Sequence, residues 1–130
     1  MIKLFYIFKC PLGAPDCKIG ITGSWWSRLS SYQNSYSKRK HTACFDMVYI
    51  GPARAIGKLE TTIKERYDWA IESDKGGESE WVSNHTVEDI EQIVDGLIDG
   101  FKFKITKVDR KWLPLSKDNL VDFLKSHEIT

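Results

Sequence analysis

The first twenty-two residues constrain the fold most. Residues 2–9, from Ile2 to Lys9, are β-branched and aromatic almost throughout, and Cys17-Lys18-Ile19-Gly20-Ile21-Thr22 resumes the same pattern. Between them, Cys10-Pro11-Leu12-Gly13-Ala14-Pro15-Asp16 is dense in turn formers, so the two runs predict a β-hairpin with a loop of about six residues. Gly23 ends the second strand. Ser24 then stands as N-cap of a helix carrying Trp25, Trp26, Leu29, Tyr32 and Gln33, before a polar, basic loop over residues 34–40.

Phe45 to Ile50 predicts a third strand closed by Gly51-Pro52, with Pro52 in the first turn of the next helix. In that helix Ile56, Leu59, Ile63, Tyr67 and Ile71 recur at steps of three and four, which gives one buried stripe with Glu60 beside it. Residues 74–79 form a loop, and Glu80-Trp81-Val82 re-enters structure. Thr86 and Asp89 make a capping-box start for a helix whose Val87, Ile90, Ile93, Val94, Leu97 and Ile98 keep a 3.6 period. Phe101 to Ile105 alternates as a strand, and Ser116 caps a last helix through Leu120, Phe123 and Leu124. The plan is α+β, a small antiparallel three-stranded sheet flanked by helices. Residues 1–100 form the main domain, and residues 101–130 a strand-helix appendage packed on it.

At 130 residues and 42% hydrophobic, the chain can bury one real core. No run is long enough to span a membrane, and the start turns polar too quickly for a signal peptide, so an intracellular setting is expected. Three cysteines in such a setting do not make a disulfide framework. The net charge of +1 excludes a wholly cationic binder but hides a segregation: residues 1–68 carry +6 and residues 69–130 carry −5. A basic first half suits a surface laid on a polyanion.

Leu4-Phe5-Tyr6 on the first strand and Lys18-Ile19-Gly20 on the second resemble the paired motifs of the GIY-YIG nuclease superfamily, with eleven residues between Tyr6 and Lys18. Arg28, eight residues after Gly20, and Tyr32, four further on, match the family's helical arginine and His or Tyr. Glu60 matches its metal-binding glutamate. The likeness covers roughly residues 1–82 and is nearest to the phage and viral branch with Lys-Ile-Gly-Ile-Thr. It implies a Mg²⁺- or Mn²⁺-dependent endonuclease that hydrolyses DNA to 5′-phosphate and 3′-hydroxyl ends. Lys18 departs from the family's usual Tyr, and Leu4 from its Gly.

The chemistry of these residue types fits that implication. Phosphodiester cleavage needs a cation against developing charge, a base for water, and positioning. Tyr6 is the base or water-positioner, and Lys18, sharing its strand face, favours the phenolate. Arg28 and Tyr32 share one helix face and present a guanidinium fork and a hydroxyl to the phosphate. Glu60 supplies the protein carboxylate to Mg²⁺, and Lys38, Arg39, Lys40 and His41 contact the phosphate backbone. The plainer readings are half-buried aromatics for Tyr6 and Tyr32, solvated helix residues for Arg28 and Glu60, a strand-edge lysine for Lys18 and a solvated loop at 38–41. A catalytically silent DNA-binding module on the same fold is the rival function. Long-site recognition would need a homodimer or a partner protein, since only about 30 residues follow the core. Cys10, Cys17, His41 and Cys44 have zinc-ligand chemistry, but the gap between Cys10 and Cys17 is poor for a zinc knuckle and favours spectator thiols.

Overall fold

The structure, a computed structural model, describes residues 1–9, 17–25, 27, 44–66, 71–73, 79–82 and 85–127. Strands β1 (Ile2–Lys9) and β2 (Cys17–Thr22) form the predicted hairpin, in register from Lys9 opposite Cys17 to Leu4 opposite Thr22. The expected third strand is divided into β3 (Cys44–Phe45) and β4 (Met47–Pro52). The division falls at Asp46, whose N–H donates to the Ile7 carbonyl while its carboxylate accepts from the Lys9 N–H at 2.7 Å. There follow α1 (Ala53–Arg66), β5 (Ile71–Ser73), β6 (Ser79–Val82) and α2 (Val87–Phe101). The chain continues through β7 (Thr106–Lys107), a 3-10 turn (Arg110–Trp112), β8 (Leu115–Ser116) and α3 (Lys117–Ser126). The main sheet runs β5-β6-β2-β1-β4-β7 with all neighbours antiparallel, and β3 pairs with β8 in a separate ribbon. The α+β class holds, and the three expected strands are the centre of a sheet that short strands extend on both sides.

The central strand β1 is apolar at consecutive positions because both its faces are covered. Phe5 and Ile7 point to a layer made by α1 and α2, where Ile56, Leu59, Ile63, Ile90, Val94 and Leu97 close over them. Leu4, Tyr6 and Phe8 point the other way, into a cluster with Trp25, Phe45, Val108, Leu115, Leu120 and Phe123. The second layer is thus supplied largely by the C-terminal segment. That segment is tied to α2 by a polar network. Glu91, 8% exposed, receives Arg110 at 2.8 Å and the Lys107 ammonium, while Asp95 accepts from Lys107 at 2.7 Å and from the Tyr49 hydroxyl at 2.8 Å. Burial, then the bond to Asp95, holds the Tyr49 phenol neutral by raising its pKa.

Three further expectations are corrected. Pro52 does not stand in the first turn of the next helix; it ends β4 opposite Ile2, and α1 starts at Ala53. Phe101 does not begin a strand. It ends α2, Lys102 caps that helix in the left-handed region at φ 56°, and the strand is displaced to Thr106–Lys107. The apparent alternation arises because Phe103 and Ile105 pack back on the core from a segment outside any helix or strand, while Phe101 completes the helix and stacks on Phe103 at 5.5 Å. Ile71 does not prolong the stripe of α1, which ends at Arg66; it opens β5, paired to Val82. Its helical spacing was coincidental with a strand start. The caps expected at Thr86 and Ser116 are present: Thr86 and Asp89 form a capping box on α2, and Ser116 with Asn119 forms one on α3.

Candidate active site

Tyr6 sits opposite Gly20 on β2, and Phe8 sits opposite Lys18. Cross-strand partners share a face, so Tyr6 and Lys18 lie on the same side of the sheet as diagonal neighbours, within mutual reach of two long side chains. Both are enclosed: Tyr6 is fully buried and Lys18 is 4% exposed. Lys18 is not a strand-edge lysine. β6 pairs along the outer side of β2, with Lys18 opposite Trp81, which makes β2 an interior strand. An ammonium on such a strand can be held only by polar or anionic company, since an isolated buried charge is too costly. The Tyr6 ring stacks on Phe45 at 4.4 Å with a 19° interplanar angle. Phe45 in turn pairs with Leu115 across the β3-β8 ribbon, so the appended segment holds the lid of this face in place.

The end of β2 leads into the same face. The buried Thr22 hydroxyl accepts from the Ser24 N–H at 2.9 Å, turning the chain, and Trp25, helical and buried, packs 5.9 Å from Phe123. Arg28 and Tyr32, which follow in the sequence, lie outside the described residues, as do Lys38, Arg39, Lys40 and His41. Glu60 comes from the other layer. It flanks the buried stripe of α1, with its side chain 19% exposed and its carboxylate 3.4 Å from the Lys64 ammonium one turn on. The structure therefore unites Tyr6 and Lys18 on one sheet face and mounts Glu60 on the helix that covers the opposite face.

Sequence reasoning missed Phe45, Thr22 and the covering residues Leu115, Leu120 and Phe123. Apolar spacing in residues 115–124 gave the helix but not its target, because which face a segment covers depends on distant partners. Cys17 is buried and donates to the His85 carbonyl at 3.3 Å, and Cys44 is half-buried on β3, its thiol pushed up to about 12 by burial and then by Asp46. Among the described residues no cluster of three His, Cys, Asp or Glu side chains is placed to hold a metal, and Cys10 and His41 lie outside them. Nor is any described helix long and apolar enough to cross a membrane.

An α+β domain with a Tyr–Lys pair buried on one face of its central hairpin is the class defined by this geometry. The T5orf172 domain matches residues 3–98, and the chain belongs to that family, a GIY-YIG-like domain associated with phage nucleases. No curated protein and no solved structure matches the chain.

Proposed function

We propose that this domain is a divalent-cation-dependent endonuclease acting on DNA, with Tyr6 and Lys18 contributed by one face of the hairpin and Glu60 by the helix that covers the other. The observation that supports this most is the placement of Tyr6 and Lys18 as diagonal neighbours on one face of the hairpin, inside a stretch matched by a nuclease-associated family. In this reading water attacks the phosphorus, its proton passes to Tyr6 or to solvent oriented by Tyr6, and the bond to the 3′ oxygen breaks, that oxygen taking a proton from solvent to become the 3′-hydroxyl. Lys18 favours the anionic form of Tyr6. Arg28 and Tyr32 bind the phosphate oxygens, on which charge builds in the transition state. Glu60 is a partly exposed hard oxygen donor, the chemistry Mg²⁺ or Mn²⁺ takes, so it fits as the carboxylate that would hold the ion. When bound, that ion supplies Lewis-acid stabilisation of the phosphoryl group. Lys38, Arg39, Lys40 and His41 contact the backbone of the DNA.

A second reading is favoured by one observation. The Tyr6 ring is fully enclosed by Phe45 and the C-terminal cluster, which suits a module that binds DNA without cutting it. Nicking of supercoiled plasmid with Mg²⁺, and its loss with EDTA, separates the two. Under the nuclease reading Glu60→Gln abolishes nicking with DNA affinity nearly unchanged, and Tyr6→Phe is almost inactive. DNA retention with no nicking in any divalent cation leaves the binding module.

A further inference from the structure

Away from the Tyr6 face, a cleft of about 370 Å³ opens between the first turns of α1 and the segment that leaves α2. Arg54 and Lys58, one turn apart and exposed, stand on one wall; Lys102 and Lys104, also exposed, stand on the other. Among the described residues no carboxylate lines it, and none of the four cations forms an ion pair. The neighbouring cleft beyond Lys102 is different, because Asp95 and Asp99 line it together with Lys102 and Lys107. Charge there is neutralised from within, whereas here like charges face one another across a gap.

The walls are fixed by backbone. A Cβ at Gly51 would lie 2.9 Å from the Lys104 carbonyl oxygen, so the absence of a side chain at Gly51 lets residues 104 and 105 pass against the end of β4. Lys102 is set by its left-handed cap, and Phe103 packs into the core. Phe101, 46% exposed, stacks on Phe103 and carries the Arg66 guanidinium 4.8 Å from its ring centre, which adds a fifth cation at the rim. The first turn of α1 has no acidic residue to offset its positive helix end. Four cations that line one cleft, with no carboxylate among its described lining residues, repel each other unless a polyanion enters.

We infer that this cleft grips the phosphate backbone of a DNA strand, as a second contact surface on the α1/α2 layer, separate from the Tyr6 face; the inference rests on the reading of DNA as this domain's ligand. The contact is independent of sequence and strongly dependent on salt. Its test is the binding of a short labelled DNA duplex to the full chain, followed by anisotropy between about 50 and 200 mM salt. Three variants are compared, each removing two charges: Arg54→Gln with Lys58→Gln, Lys102→Gln with Lys104→Gln, and Lys111→Gln with Lys125→Gln as a control elsewhere on the surface. Each cleft pair should lower the slope of log K against log salt by about 1.8, roughly 0.9 for each contact, and weaken binding ten- to a hundredfold near 0.1 M salt. The control pair should leave the slope close to wild type. Equal slopes in all three variants and wild type, with wild-type binding intact, overturn the cleft and leave the proposed function standing. A wild-type chain that fails to bind DNA at low salt overturns both. Circular dichroism of each variant shows whether a loss reflects contact or folding, and a cleft pair that is folded yet unchanged in slope counts against the inference.

Discussion

Replacing Phe123 by Ala probes the packing that encloses the Tyr6 face. The ring is fully buried, 5.9 Å from Trp25, 5.8 Å from Trp112 in an edge-on arrangement, and 4.2 Å from His127. Truncating a buried Phe costs about 3–5 kcal/mol through lost transfer energy and the cavity left behind. Contacts with three aromatic neighbours place this case near 4 kcal/mol. That is about a thousandfold in the folding equilibrium, out of a total stability on the order of 5–15 kcal/mol. With a urea dependence of about 2 kcal/mol per molar, the unfolding midpoint should fall by about 2 M. Tryptophan fluorescence reports it directly, since Trp25 and Trp112 flank the ring. Val121→Ala is the comparison: on the same helix and 50% exposed, it should stay within about 0.5 kcal/mol of wild type. A Phe123→Ala midpoint shifted by less than about 0.3 M would mean that α3 does not cover the sheet, and the account of the enclosed face would fall with it.

Two further outcomes follow from titrating groups. Hydrogen bonds from Thr86 hold the Asp89 carboxyl below its usual 3.8, so its contribution to the α2 cap is full above that value and is lost as pH falls through the lower folded value. Asp89→Ala should therefore melt earlier than wild type at pH 7, and the gap should narrow as pH falls below 3.8; a gap of unchanged size throughout the acid range contradicts the cap. Cys44, with its thiol near 12, should be alkylated by iodoacetamide at a rate still rising about tenfold per pH unit between pH 8 and 10, whereas an ordinary thiol levels off there. Peptide mapping by mass spectrometry gives the rate for Cys44 alone, and a plateau by pH 9 would refute its burial.

Much of the architecture could be read locally. The hairpin was legible because turn formers separate two strand-like runs, and α2 because a capping box and a 3.6 period agree with each other. The shared face of Tyr6 and Lys18 followed from the period of two. What failed were short segments whose pattern fits two periods: Ile71 continued a helical spacing, and Phe101, Phe103 and Ile105 mimicked a strand across a helix end. The environment of the pair was not legible, since Lys18 becomes interior only when residues 79–82 return to pair with β2. Nor could spacing reveal that Phe45 would lie on Tyr6, or that cations at 54, 58, 102 and 104 would meet across one gap, because these neighbours are far apart in the chain.

The match to the family ends at residue 98, yet Val108, Leu115, Leu120 and Phe123 complete the apolar layer over β1. The boundary drawn by likeness and the boundary drawn by folding are therefore different. A fragment cut at the former would present Leu4, Tyr6, Phe8 and Phe45 to water as one continuous greasy surface, and it should aggregate or recruit a substitute cover rather than behave as a smaller version of the same molecule. In this chain the piece that kinship leaves out is what covers the second apolar face of the shared piece.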